Sequence, residues 1–322
     1  MTAAVPLDPS LMARCTGTSP IKCTIPVPAN GNYNVTVELG SGNAASTSRV
    51  QAELYRIVVP PLKLAAAAFS QQTFSVNVRK EVHDDYSAPG MQLDLLIDGD
   101  APALHGLGFA AADMPTLFVV GDSTVCDWDP AYAAASAAGP LERGWAQEFS
   151  QYLRPGLAVA NFADSGDTAG SLYGKFASRG AVLKRGDFLF IQFGHNDQKS
   201  ATDRDAYKAN LTKYIDDARA SGATPVLFSP VARKSATSAA PGFDGLDQQA
   251  RDLAKSANVA FVDLTTLSID YYKTVPDKSL LFATTSESTH FSESGATAIS
   301  GLVAQTLKAG TTPTTTMGAF LK

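Results

Sequence analysis

Between residues 21 and 111, apolar and polar positions alternate with a period of two. In NYNVTVEL, Tyr33, Val35, Val37 and Leu39 are separated by Asn34, Thr36 and Glu38. Successive side chains of an extended strand point to opposite faces, so this pattern predicts a strand with one buried face. RVQAELYRIVV (49–59), TFSVNVRK (73–80) and MQLDLLID (91–98) repeat it, with clusters of Gly, Asn and Asp between them. Several short strands punctuated by turn residues predict a β-sandwich.

The period changes at Ala112-Asp113-Met114-Pro115. Beyond it, nearly continuous apolar runs predict strands buried on both faces: TLFVV (116–120), LAVANFA (157–163), DFLFIQFG (187–194), TPVLFSPV (224–231) and VAFVDL (259–264). Between and after them, apolar residues recur at helical spacing. Tyr207, Leu211, Tyr214, Ile215 and Ala218 form one such set, Leu246, Ala250, Leu253 and Ala254 a second, and Ile299, Leu302, Val303 and Leu307 a third. Strands alternating with helices predict an α/β domain of flavodoxin-like type, a parallel sheet with helices on both faces. The expected organisation is therefore a β-sandwich over 1–113, an α/β domain over 114–310, and a flexible or edge-packed tail over 311–322.

Ligands of such sheets sit beyond the C-terminal ends of the strands. The first strand is followed by Gly121-Asp122-Ser123-Thr124, the second by Asn161 and Ser165-Gly166-Asp167-Thr168, and the third by Gly194-His195-Asn196-Asp197. Glu287-Ser288-Thr289-His290 precedes the last helix. One sheet edge thus receives a serine, a glycine, an asparagine and a histidine. An ester hydrolase needs a nucleophile, a base and donors for an oxyanion. Ser123 is expected to open a helix, with its N–H among the unpaired donors there. The Gly166 N–H is unshielded by a side chain, and the Asn196 amide supplies a third donor. His290 is the candidate base and Glu287 the acid that orients it. Asp122 and His195 are expected to hold the surrounding loops, and Cys126 to fill core space.

Composition narrows the partners. A net charge of −5 gives no basic face for nucleic acid, and no uncharged apolar run approaches the roughly 18 residues of a membrane helix. No two of His83, His105, His195 and His290 have zinc-protease spacing, and no Cys-x-x-Cys occurs, so no metal or other cofactor is expected. Cys15 and Cys23 stand close together in a loop-like segment, and a disulfide there implies an oxidising compartment. The opening MTAAVPLDPSLMARC does not read as a secretory leader. An extracellular or periplasmic protein is expected, its leader lying outside this sequence.

Four blocks in order, GDST (121–124), N-x-A-x-x-G (161–166), GHND (194–197) and His290 ahead of SESGA (292–296), resemble those of the SGNH (GDSL-type) hydrolases over about residues 116–308. GDST with FGHNDQ most resembles the rhamnogalacturonan acetylesterases among the carbohydrate esterases. The β-rich front is similar to the galactose-binding-like sandwich that precedes the esterase domain in many bacterial relatives. The resemblance implies Ser123 as nucleophile, His290 as base, and Ser123, Gly166 and Asn196 as the oxyanion hole. It implies an acetylated plant cell-wall carbohydrate as substrate, with Asp167, Thr168 and Trp128 as candidate substrate contacts. Two departures stand out. Glu287 replaces the family's usual Asp. Asp167 stands where the acetylesterases often have Arg, which favours a neutral acetylated sugar over one rich in galacturonate. The alternatives are a short-chain lipase or thioesterase, or a carbohydrate-binding protein with an inactive esterase fold.

Overall fold

The computed structural model describes residues 4–53, 55–83, 87–129, 142–310 and 316–322. Its first part consists of strands β1 (Cys15–Thr16), β2 (Ile21–Pro26), β3 (Gly31–Gly40), β4 (Ser46–Ala52), β5 (Arg56–Leu64), β6 (Phe69–Val78), β7 (Glu81–Val82), β8 (Ser87–Ala88), β9 (Gln92–Ala101) and β10 (Leu104–Ala111). One sheet has the order β1-β2-β9-β4-β5 and the second β10-β3-β6, every pairing antiparallel. Tyr33, Val35, Val37 and Leu39 of β3 point into a core shared with Ile25, Val50, Phe74, Val76, Leu93 and Ile97. That is the face predicted by the alternation.

Two details depart from the predicted pattern. RVQAELYRIVV reads as one strand, but the chain reverses within it, between β4 and β5. Glu53 and Tyr55 hold left-handed φ angles of 54° and 58° there, the backbone signature of a tight turn. The polar face of β3 is buried as well. Val5 N–H donates to the Thr36 hydroxyl at 2.9 Å, and Ser75 donates to Asn34 at 2.7 Å. The N-terminal segment runs across this face, where a Cβ on Gly108 would collide with the Pro6 carbonyl.

Strands β11 (Thr116–Gly121), β12 (Ala158–Asn161), β13 (Phe188–Gln192), β14 (Thr224–Phe228) and β15 (Ala260–Val262) form a parallel sheet in the order β12-β11-β13-β14-β15. This is the 2-1-3-4-5 order of flavodoxin-like folds, whose switch point lies between the first and third strands. Helices α1 (Ala169–Phe176), α2 (Ala201–Ala220) and α3 (Leu246–Ala257) cover the face carrying Phe118, Val120, Leu189, Ile191 and Leu227. Helices α4 (Leu264–Thr274) and α5 (Glu293–Lys308), with the 3₁₀ segment Trp145–Tyr152, cover Leu117, Val119, Phe188, Phe190 and Phe228. Both faces are therefore apolar, which is why these strands read as continuous rather than alternating runs.

The tail packs along the edge: Leu321 is buried, and Lys322 N–H donates to Tyr152 C=O at 2.9 Å, while residues 311–315 lie outside the described residues. Cys15 and Cys23 are directly paired between β1 and β2 and form a disulfide. Among the described residues, no helix is long and apolar enough to cross a membrane.

Candidate active site

Strand β11 ends at Gly121, where a Cβ would crowd the Gln192 carbonyl and the Val125 side chain at 2.7 Å. The next residues form a turn and not the predicted helix. Asp122 C=O accepts from Val125 N–H (2.9 Å) and Cys126 N–H (3.1 Å), but helical bonding stops there. The Ser123 carbonyl is taken by the Trp128 indole N–H at 3.0 Å and the Thr124 carbonyl by Trp145 N–H at 2.9 Å. With these acceptors occupied, the turn cannot propagate as a helix. Buried Asp122 tightens it further, accepting from Thr124 N–H (3.0 Å) and Thr124 Oγ1 (2.7 Å).

Three further groups brace this turn. Gln192, at the end of β13, accepts from the Trp145 indole at 2.8 Å and donates to Thr124 Oγ1 at 2.9 Å. The Asn161 amide donates to Val125 C=O (3.0 Å) and to Asp127 (2.9 Å). His195 Nδ1 lies 3.3 Å from Asp122 Oδ2, its ring edge-on to Phe243. Cys126 is buried behind the turn.

The turn delivers Ser123 to His290. Their Oγ and Nε2 atoms lie 2.9 Å apart, and the Trp128 ring stands edge-on to the imidazole with centroids 5.7 Å apart. On the other side of the ring, Nδ1 lies 3.6 Å from Glu287 Oε2 and 3.4 Å from Glu142 Oε1. Glu287 Oε1 accepts from the N–H groups of Ser288 and Thr289, both at 2.7 Å, and from that of His290 at 3.4 Å. Glu142 is absent from the sequence-derived site. It lies 148 positions before His290, and neither a motif nor a period marks it.

These contacts set the charges. Burial raises the Glu287 carboxyl, but backbone N–H groups and the nearby imidazole outweigh it and hold its pKa below the ordinary value. Burial likewise disfavours the charged His290 imidazole; the carboxylates of Glu142, 3.4 Å from Nδ1, Glu287 and Asp122 outweigh that and raise its pKa above the ordinary value. Asp197, in the GHND block, is buried and caps α1 by accepting from Ala169 N–H at 2.9 Å; burial pushes its pKa up to about 7. The carboxylates of Glu142 and Glu287 and the His290 ring bring their polar atoms within 4.8 Å of one another.

The donor side lies at the ends of β12 and β13. Gly166 has φ of 81°, and nothing stands within 4 Å of where a Cβ would be. Its glycine is thus explained by the left-handed backbone and not by crowding. Among the described residues, neither the Ser123 nor the Gly166 N–H donates to another group. The Asn196 amide donates one hydrogen to Asp167 C=O (3.0 Å), and its oxygen accepts from Lys199 (2.7 Å), which fixes the side chain and leaves a second N–H.

The candidate substrate contacts divide. The Asp167 carboxylate is buried and accepts from Lys175 (2.9 Å) and Ser171 (2.7 Å). Thr168 is the N-cap of α1, its side chain accepting from Ser171 N–H at 3.1 Å. Trp128 is 8% exposed, its indole N–H spent on Ser123 and its ring on His290.

Comparison with known proteins gives a consistent outcome. Residues 119–298 match the GDSL-like lipase/acylhydrolase family. The chain is 31% identical over 210 residues to a rhamnogalacturonan acetylesterase of Bacillus subtilis (strain 168), covering 59% of this chain and 88% of that one. It is 30% identical over 207 residues to a probable rhamnogalacturonan acetylesterase of the same organism, covering 60% and 92%. The crystal structure of the Bacillus subtilis protein YxiM shares the fold, with a TM-score of 0.52 and 24% identity over 91% of this chain and 80% of that one.

Proposed function

Because the chain belongs to the GDSL-like lipase/acylhydrolase family, we propose that this carboxylic ester hydrolase removes acetyl groups from an acetylated plant cell-wall polysaccharide or oligosaccharide. The reaction passes through an acyl-enzyme on Ser123. The observation that carries this reading is the 2.9 Å approach of His290 Nε2 to Ser123 Oγ at the switch point of the parallel sheet. His290 takes the hydroxyl proton as Oγ attacks the acetyl carbonyl. The N–H groups of Ser123 and Gly166 and the free N–H of Asn196 receive the developing oxyanion. The protonated imidazole then passes its proton to the departing sugar oxygen, which leaves as the free hydroxyl. Water, activated by the same imidazole, releases acetate. The Glu287 carboxylate, 3.6 Å from Nδ1, favours the cationic form of the ring in both halves.

The names of the relatives support an acetylated pectic glycan. Local charge favours a neutral stretch of it. Asp167, Glu142 and Glu287 are acids around the site, and Lys175 is already paired with Asp167. On this reading Trp128 forms the floor beside the acetyl group, while Asp167 and Thr168 shape the rim through α1. Residues 1–113 brace a catalytic unit of residues 114–310. The Cys15–Cys23 disulfide supports an extracellular or periplasmic location.

The test is a panel of acetylated rhamnogalacturonan, acetylated xylan and p-nitrophenyl esters of rising chain length. Acetate release from polysaccharide, with activity falling steeply beyond short acyl chains, is expected. Preference for long acyl chains with no release from any glycan would replace this reading with that of a lipase.

A further inference from the structure

Glu287 is heavily engaged in its own loop. One oxygen is shared among three backbone N–H groups, which leaves the other 3.6 Å from His290 Nδ1. Glu142 comes from a separate part of the chain, and its Oε1 stands closer to the same nitrogen, at 3.4 Å. Its approach is built into the fold. The next residue, Arg143, makes a β-bridge with Phe291, the residue after His290, and its N–H donates to Phe291 C=O at 3.0 Å. The Arg143 side chain is 3% exposed and reaches into the first sheet. It donates to Tyr55 C=O at 3.1 Å and to Gln51 at 3.3 Å, and lies 3.5 Å from Glu293 at the start of α5. A buried arginine anchored on the sandwich thus fixes the backbone that carries Glu142 beside the backbone that carries His290.

We propose that Glu142 is a positioning residue for the catalytic histidine: it accepts a hydrogen bond from His290 Nδ1–H, while Glu287 closes the loop and supplies a second negative charge. The proposal rests on the reading of Ser123 and His290 as nucleophile and base. The base must present a lone pair at Nε2 and therefore keep its proton at Nδ1, so the carboxylate nearest Nδ1 sets the tautomer. A contact of 3.4 Å closes to hydrogen-bonding distance with a few tenths of an ångström of movement, and catalytic hydrogen bonds commonly tighten when substrate binds. The charged groups facing the imidazole are Glu142, Glu287 and Asp122. Removing the charge of Glu142 takes away one of the groups that hold its proton. The sandwich takes part as well, since Gln51 and Tyr55 anchor the arginine that aims Glu142.

The experiment compares wild type, Glu142→Gln, Glu142→Asp and Glu287→Gln for kcat and KM on p-nitrophenyl acetate from pH 4 to 9. A fluorophosphonate probe reports modification of Ser123 in each protein, and circular dichroism reports the fold. Glu142→Gln is expected to lower kcat by roughly 10- to 100-fold with little change in KM, and to move the acid limb of kcat/KM to lower pH. Glu142→Asp should recover part of both effects. An unchanged kcat and acid limb in Glu142→Gln would overturn the proposal. So would a lower kcat with an unmoved acid limb, which marks a merely structural disturbance. Failure of the probe to modify Ser123 in the wild type would instead overturn the Ser–His reading and this proposal with it.

Discussion

The guanidinium Nε of Arg56, on strand β5 of the sandwich, lies 2.8 Å from the carboxylate of Asp127, which follows the nucleophile turn. The same arginine donates to Glu81 at 2.7 Å and to Val159 C=O of β12 at 3.1 Å. Arg79 adds an ion pair with Glu81 and stacks over Phe162, 3.8 Å from the ring centroid. A buried ionic layer therefore joins the sandwich to the parallel sheet at Asp127, four residues after Ser123.

Loss of Arg56 takes one guanidinium from each of two buried carboxylates, Asp127 and Glu81, of which Glu81 keeps Arg79. Truncating one partner of such a pair costs about 3–5 kcal/mol. Arg56→Met is expected to lower unfolding free energy by that order in urea titrations. It should also lower kcat, because Asp127 holds Asn161, which holds the Val125 carbonyl. Stability within about 1 kcal/mol of wild type would show that the ionic layer does not brace the turn.

Ser123→Ala should reduce turnover by about 10⁴-fold or more while leaving thermal unfolding nearly unchanged. The wild-type acid limb should lie above pH 6.5. As the proposed base, His290 must be neutral to take the serine proton, and its raised pKa keeps it protonated to higher pH. Activity therefore falls as pH drops through that value. A limb centred below 6.5 would contradict the carboxylate environment of the ring.

Asp197 couples stability to pH. Its folded pKa of about 7 exceeds the ordinary carboxylate value of 3.8, so the unfolded chain ionises first. Stability contributed by this group falls as pH rises from about 4 to 7. Asp197→Asn keeps an acceptor for Ala169 N–H and removes the buried charge. It should raise Tm relative to wild type at pH 8 and leave Tm unchanged near pH 4. A Tm difference independent of pH would show that the charge is not responsible.

Mass spectrometry of the unreduced protein should recover Cys15 and Cys23 as one linked peptide pair, with Cys126 unmodified until denaturation. Replacing both with Ser should cost about 2–3 kcal/mol, the loop-closure value for so short a ring. Free alkylation of both thiols in the native protein would remove the main support for an oxidising compartment.

Much of this protein was legible in local pattern. The alternation of Tyr33, Val35, Val37 and Leu39 and the continuous runs of β11 to β15 follow from burial on one face or on two, which is a property of neighbouring residues. Three of the four blocks sit at strand ends and the fourth precedes the last helix, boundaries that local pattern marks, so Ser123, Gly166, Asn196 and His290 could be assigned to one edge from the sequence. The disulfide pairs close cysteines of adjacent strands. What local pattern cannot carry is competition for backbone groups and contact between distant segments. The predicted helix at Ser123 is lost because Trp128 and Trp145 take its carbonyls, and Trp145 arrives from a later part of the chain. The polar face of β3 is buried because the N-terminus crosses it. Glu142 reaches His290 only because Arg143 bridges to Phe291 and anchors on the sandwich, over separations that no period or spacing encodes. Sequence determined which chemistry stands at the sheet edge; tertiary packing decided which carboxylates face the histidine.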